Sequence, residues 1–196
     1  MTAQIGDQFR YKNGEYVIVA GNAPIPFDPL DYGIIPGAIC TSCWRGFWCV
    51  YDISPDGIYL ADLYVNSANN HYPEICGVLP EERPEGDFLS YMGHQVYRGL
   101  NVKIPYTGKI LIGDKFIHRF YIHNGFQWPW GYKKLIELVF KEGKLIATNN
   151  HSRIAASVRR KEIAEGYEMP KLLKRIIKPR KKVNVWWYRD IDDTEW

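Results

Sequence analysis

The sequence predicts a mainly β protein of the α+β class, with an antiparallel sandwich or barrel-like core followed by C-terminal helices. Aromatic residues, which favour strands, make up 15% of the 196 residues. Turn-forming pairs also recur between short apolar segments at the spacing that is typical of antiparallel sheets. A hydrophobic fraction of 46% and a charged fraction of 24% exclude collagen-like, coiled-coil and wholly disordered chains.

Three hairpins organise the predicted sheet. Asn13-Gly14 suits a type I′ turn because both residues tolerate a positive φ, and Pro55-Asp56-Gly57 and Glu142-Gly143 mark two further turns. Glycines and a proline separate the remaining apolar segments. The predicted strands are residues 8–12, 15–20, 47–53, 58–65, 101–104, 109–112, 116–122, 135–141 and 144–148.

The pattern changes to helix after His151. Ser152 is predicted to cap a helix that begins at Arg153 and ends at Gly166. A second, amphipathic helix is expected between Pro170 and Pro179, and a last strand over residues 183–189. We therefore divide the chain into an aromatic-rich antiparallel β domain, residues 1–150, and a basic helical extension with an acidic tail, residues 151–196.

The charge distribution indicates where a partner binds. The net charge of +3 is the sum of −2 over residues 1–150, +8 over residues 151–182 and −3 over residues 183–196. Clustered cations attract phosphate backbones or an acidic protein surface, although a charged helix is also commonly just solvated. The candidate binding residues in this segment are Lys171, Lys174, Arg175, Lys178, Arg180, Lys181 and Lys182.

The four cysteines form the most compact chemical signal. Cys40 and Cys43 have the two-residue gap of a zinc knuckle, and Cys49 and Cys76 are weak further candidates for metal ligands. Because Cys49 and Cys76 do not repeat the short gap, ordinary packing thiols are favoured over a zinc site or a thiol redox pair. We predict no cofactor.

Two aromatic segments, residues 43–48 and 123–132, are candidates for binding. Tryptophans in loops broken by glycine and proline can stack on bases, sugars or the side chains of a partner, and an arginine among them can fork onto a carboxylate or phosphate. The alternative is that these rings plug the ends of the core. The candidates, with two histidines, are Trp44, Arg45, Trp48, His94, His123, Phe126, Trp128 and Trp130.

No recognised catalytic or targeting motif is present. The sequence lacks a phosphate-binding loop, a dinucleotide-binding glycine pattern, a serine elbow and a paired-histidine zinc helix. It also lacks an apolar segment long enough for a membrane span, and its first residues do not resemble a secretory signal. We expect a cytoplasmic protein whose cysteines are mostly reduced.

Four segments resemble a family of uncharacterised bacterial proteins. They are residues 43–48 (CWRGFW), 92–97 (MGHQVY), 104–113 (IPYTGKILIG) and 121–127 (YIHNGFQ). The resemblance covers roughly residues 5–150 and omits the basic extension. It implies a bacterial, cytoplasmic origin and assigns no activity, ligand or catalytic residue.

These observations favour a non-enzymatic binding protein. We expect it to contact a protein partner, or a second copy of itself, through the aromatic loops and the basic segment, and an immunity or defence role fits this general character. One alternative is a nucleic-acid-binding protein that uses residues 151–182. Another is an enzyme with an unrecognised site near His94, His123, Cys43 and Arg45.

Overall fold

A computed structural model describes residues 2–38, 40–81, 95–123 and 125–165. Alternation of apolar and polar residues, interrupted by the expected turns, produces eight strands, and one α-helix follows them. The strands are β1 Gln8–Tyr11, β2 Gly14–Gly21, β3 Phe47–Ser54, β4 Gly57–Val65, β5 Gln95–Ile104, β6 Gly108–Phe116, β7 Tyr132–Lys141 and β8 Lys144–Asn150, and the helix is α1 Ser152–Glu165. Short 3-10 helices lie at Pro29–Tyr32, His118–Phe120 and Pro129–Gly131.

All eight strands belong to one sheet, in the order β5-β4-β3-β1-β2-β6-β7-β8. The mainly β fold is confirmed. Neighbouring strands are antiparallel except β1 and β3, which are parallel. The sheet is open, but it curves enough for its two ends to meet at one corner, where the Ile58 N–H donates to the Gly143 carbonyl at 3.0 Å.

The three hairpins form where the turn residues predict them, with one shift in position. Lys12 and Asn13 both have a positive φ, of 46° and 59°, so the type I′ turn lies one residue earlier than Asn13-Gly14. Glu142 and Gly143 adopt the same conformation in the β7–β8 turn.

The predicted strand over residues 116–122 is wrong. Phe116 ends β6, and His118–Phe120 then forms a 3-10 helix. The Ile117 N–H donates to the Gly131 carbonyl at 2.9 Å, which turns the chain so that Phe120 packs edge-on against Trp130. The segment's β propensity is thus overridden by this tertiary contact.

Two apolar clusters cover the two faces of the sheet. The larger one lies inside the curve and includes Phe9, Leu60 and Tyr97, each with no measurable exposure. The second lies between the outer face and α1, where Ala155 and Val158 pack with Leu135 and Trp130.

The first turn of α1 differs from the prediction. The Ser152 hydroxyl does not cap its own helix; it accepts the Leu135 N–H of β7 at 3.1 Å. Asn150 takes the capping role, because its side-chain oxygen accepts the Ser152 N–H at 3.0 Å. About two turns later, the Arg159 guanidinium donates to the carbonyls of Trp130 and Tyr132 at 2.6 and 2.7 Å, so α1 also fixes the 3-10 helix at Pro129–Gly131.

Within the described residues, α1 is too short and too polar to cross a membrane. The predicted second helix, the strand over residues 183–189 and the acidic tail lie outside the described residues.

Candidate functional site

The first residues of the chain join the two predicted aromatic segments. The Gln4 backbone N–H donates to the Gly125 carbonyl at 2.9 Å, while its side-chain oxygen accepts the Trp44 backbone N–H at 2.9 Å. The side-chain amide of Gln4 also donates to the Thr41 carbonyl at 2.9 Å. Segments that lie about eighty positions apart in the sequence therefore meet on the two sides of one residue.

The rings around this residue form what we call the aromatic surface: Trp44, Tyr121, His123 and Phe126. Trp44 is 50% exposed and Tyr121 is 40% exposed. The Tyr121 hydroxyl accepts the Ala3 N–H at 3.2 Å, and its ring meets the exposed His123 ring edge-on at 5.0 Å. Phe126 is half-buried and directly follows Gly125, whose carbonyl accepts the Gln4 N–H.

Trp44 is directed outward by the turn that contains it. The Cys43 N–H donates to the Cys40 carbonyl and the Gly46 N–H to the Cys43 carbonyl, at 3.3 and 3.2 Å. Gly46 has a φ of 78° and lies so close to Gly37 that a Cβ would be 2.6 Å from the Gly37 nitrogen. Only glycine fits this position, and the resulting bend leaves Cys43 buried and Trp44 exposed.

Trp48, the other tryptophan of this segment, belongs to the core. It is 3% exposed and stacks on Tyr64 with ring centroids 4.6 Å apart and an interplanar angle of 10°. Neither tryptophan of the second aromatic segment is fully exposed. Trp130 is 2% exposed, and Trp128 is half-buried and stacks on it with ring centroids 6.3 Å apart. Trp48 packs in a small cluster with Cys43 and Tyr64, Trp128 and Trp130 pack in the cluster beneath α1, and Trp44 is the exposed tryptophan of the aromatic surface.

A buried ion pair lies below the Trp44 turn. The Arg45 guanidinium binds the Asp7 carboxylate, and their side chains are 11% and 2% exposed. The Nε of Arg45 also donates to the Phe47 carbonyl at 2.6 Å, and its guanidinium lies 4.4 Å from the Phe47 ring centroid. Asp7 accepts the Cys49 N–H at 2.7 Å, which ties the pair to β3. The carboxylate that Arg45 binds is thus an internal one.

Electrostatics in this region favour neutral thiols. Burial raises the pKa of the Cys43 thiol to about 12, against the lowering effect of Arg45. Burial also raises the pKa of Cys49 well above its usual value. At neutral pH both cysteines are therefore protonated, which is unfavourable for nucleophilic catalysis and for metal ligation.

The four cysteines do not converge. Cys40 and Cys43 share one turn, Cys49 lies in β3, and Cys76 is exposed in a different turn. Within the described residues, no three histidine, cysteine, aspartate or glutamate side chains are close enough together to hold a metal ion.

A cleft of about 710 Å³ lies elsewhere, lined by residues of β1, β3, β4 and β5 and of the β3–β4 turn. One of its lining residues is the buried Asp62, whose carboxylate accepts from Arg10 at 2.5 Å and from the Gly99 N–H at 3.0 Å. Because the Asp62 charge is already neutralised by Arg10 and hydrogen-bonded to the backbone, the aromatic surface is the better candidate for a binding site.

Sequence reasoning missed Gln4 and Tyr121. Gln4 is one polar residue in a segment without a motif, and Tyr121 was assigned to a strand. The candidates His94, Lys171, Lys174, Arg175, Lys178, Arg180, Lys181 and Lys182 lie outside the described residues. The chain matches no known protein family, no curated protein and no solved structure.

Proposed function

We propose that this chain is a non-enzymatic binding protein that contacts a protein partner through the aromatic surface. The observation that supports this most strongly is the pair of hydrogen bonds by which Gln4 joins the Trp44 and Gly125 loops. A half-exposed tryptophan costs free energy in water, and it is also the residue type most enriched among interface residues that dominate binding. The hydrogen bond from Gln4 holds the Trp44 backbone in place before a partner binds, which lowers the entropic cost of binding.

The charge of residues 1–150 favours a protein over a nucleic acid at this surface. Residues 1–150 carry 13 Lys and Arg against 15 Asp and Glu, a net charge of −2. Nucleic-acid binding depends on clustered cations that release counterions from the phosphates. In the sequence, clustered cations of this kind occur in residues 151–182, which carry 11 Lys and Arg against 3 Glu. This segment supports the nucleic-acid alternative independently of the aromatic surface.

The remaining elements of the proposal rest on the sequence. We propose a cytoplasmic location and a bacterial origin, and an immunity or defence role stays a prediction. The enzyme alternative, with Cys43 as nucleophile, is disfavoured because burial raises the pKa of Cys43 to about 12.

The test is affinity capture with the full chain and two surface variants. Trp44→Ala and Tyr121→Ala each remove an exposed ring, whereas the control Leu79→Ala removes an apolar side chain that is 65% exposed outside the aromatic surface. We expect each ring deletion to weaken binding of the captured protein by about tenfold or more, as for a central interface residue. The control is expected to bind like the unmodified chain.

Two results would contradict the proposal. In one, the captured protein binds both ring-deletion variants with unchanged affinity while circular dichroism shows that they are folded. In the other, nuclease treatment abolishes all capture and binding falls steeply with salt, which would support the nucleic-acid alternative.

A further inference from the structure

The segments that form the aromatic surface carry no charge. Residues 1–6, 40–44 and 121–131 contain no Asp, Glu, Lys or Arg, although these residues make up 24% of the whole sequence. Two arginines adjoin these segments and both have internal contacts: Arg45 binds the buried Asp7, and the Arg119 guanidinium lies 5.3 Å from the Phe120 ring centroid. Because interfaces pair complementary potentials, a partner segment that fits these loops is uncharged as well.

The exposed side chains of these segments are rings and hydroxyls. Among their described residues, the exposed ones are Thr2, Thr41, Trp44, Tyr121 and His123. None of them is aliphatic. Trp and Tyr each offer a flat apolar face together with an N–H or O–H donor at the ring edge. The Tyr121 hydroxyl accepts the Ala3 N–H at 3.2 Å, so its own proton is left to donate to a partner.

The backbone between the two aromatic loops has its donors occupied. The N–H groups of residues 3–5 donate in turn to the Tyr121 hydroxyl, the Gly125 carbonyl and the Ser42 carbonyl. The last two of these hydrogen bonds measure 2.9 and 2.8 Å. A peptide that adds to a sheet as an extra strand needs such backbone groups to be free. Residues 3–5 therefore offer no donor to an added strand.

These features select one of the common modes of peptide recognition. Strand addition needs an open backbone edge, an amphipathic helix needs a hydrophobic groove, and an acidic or phosphorylated motif needs clustered cations. The described residues of the aromatic surface supply no free donor at residues 3–5, no exposed aliphatic side chain and no cation. A proline-rich segment needs what is present: exposed aromatic rings, and donors for the carbonyls that its polyproline II helix leaves without internal hydrogen bonds.

We infer that the aromatic surface binds an uncharged, proline-rich segment of the partner protein in the polyproline II conformation. The inference rests on the proposed function, because it names the part of the partner that contacts Trp44 and Tyr121. These two residues are hydrogen-bonded to the consecutive residues Gln4 and Ala3, so they flank the same short piece of chain. A ten-residue polyproline II segment is about 31 Å long, which is enough to contact both rings. It is also extended before it binds, so it loses little conformational entropy.

Decaproline tests the inference, because it is uncharged and forms this helix. Titrated into the isotope-labelled full chain, it is expected to shift the NMR signal of the Trp44 indole, which is identified by its loss in Trp44→Phe, with a Kd of about 0.1–1 mM. A flexible Gly-Ser peptide of the same length is expected to bind at least about tenfold more weakly. Because no charge takes part, raising NaCl from about 50 mM to about 500 mM should change the decaproline affinity less than about twofold.

Deletion of each ring locates the site. Trp44→Ala and Tyr121→Ala are each expected to weaken decaproline binding at least about fivefold, measured from the backbone amide signals. The control Leu79→Ala, at an exposed residue outside the aromatic surface, is expected to bind decaproline like the unmodified chain. All three side chains are exposed, and circular dichroism checks that each variant is folded.

Four results overturn the inference: decaproline leaves the spectrum unchanged at about 10 mM, it binds both ring-deletion variants like the unmodified chain, the Gly-Ser peptide binds equally well, or the uncharged oligosaccharide maltoheptaose shifts the Trp44 signal and decaproline does not. If decaproline fails while a captured protein still requires Trp44 and Tyr121, the inference is wrong and the proposed function stands. If the captured protein binds without either ring, both are wrong.

Discussion

Replacing Asp7 with asparagine tests whether the buried ion pair orders the Trp44 turn. The substitution keeps the size of the side chain and an oxygen that can accept the Cys49 N–H, but it removes the negative charge. Arg45 then stays buried without the Asp7 charge, while its guanidinium keeps its contacts with the Phe47 carbonyl and ring. We expect the folded state to lose most of the stability that this pairing provides.

The magnitude follows from the burial of the two partners. The side chains of Arg45 and Asp7 are 11% and 2% exposed, so solvent screens their interaction weakly. Removing one partner of a buried pair costs about 3–5 kcal/mol, mainly because the other charge stays desolvated. The exposed pair of Arg98 and Glu81, at 48% and 54%, is the matched control, and Glu81→Gln should cost less than about 1 kcal/mol.

Urea unfolding followed by tryptophan fluorescence and circular dichroism measures both free energies. The double variant Asp7→Asn/Arg45→Met separates charge from packing: without a buried cation, it should be more stable than Asp7→Asn alone. A loss for Asp7→Asn no larger than for Glu81→Gln, or a double variant less stable than the single one, would refute the reasoning.

Three further predictions concern the same region and its support. Gly46→Ala is expected to lower the free energy of unfolding in urea by about 3 kcal/mol or more, because the added Cβ meets the Gly37 backbone. Gly125 also has a positive φ, of 81°, but has open space around it, so the control Gly125→Ala should lower the same quantity by about 1 kcal/mol. Because burial raises the pKa of Cys43 to about 12, a thiol reagent at pH 8 should label exposed Cys76 at once and Cys43 only after unfolding; rapid native labelling of Cys43 would contradict this. Arg159→Ala removes two charge-assisted hydrogen bonds to backbone carbonyls and is expected to lower the unfolding free energy by about 2 kcal/mol, with unchanged stability as the contrary result.

Local turn chemistry made most of the sheet predictable. The β7–β8 turn at Glu142 and Gly143 needs two residues with a positive φ, and the sequence supplies them, so the flanking strands follow. The conformation of residues 116–122 could not be predicted in this way, because it depends on contacts with Gly131 and Trp130 that the local sequence does not reveal.

The candidate site was predictable only in part. Both aromatic segments could be identified as unusual from their composition, but their meeting depends on Gln4, a residue without a distinguishing pattern. Its hydrogen bonds reach about forty positions to Trp44 and more than a hundred to Gly125. Contacts at such separations are set by the order of strands in the sheet, and the parallel pairing of β1 with β3 was not foreseen.

The exposure of Trp44 also connects the core to the proposed function. Trp44 and Trp48 are four positions apart, but Gly46 lies between them with a φ of 78°, so strand alternation does not determine which ring faces water. The Gly46 turn and Arg45 act together here, because the Arg45 side chain binds the buried Asp7 while the neighbouring Trp44 faces outward. Asp7→Asn should therefore weaken binding at the aromatic surface although Asp7 itself is inaccessible to a partner. If binding survives while stability falls, the turn is held by Gln4 and Gly46 without help from the ion pair.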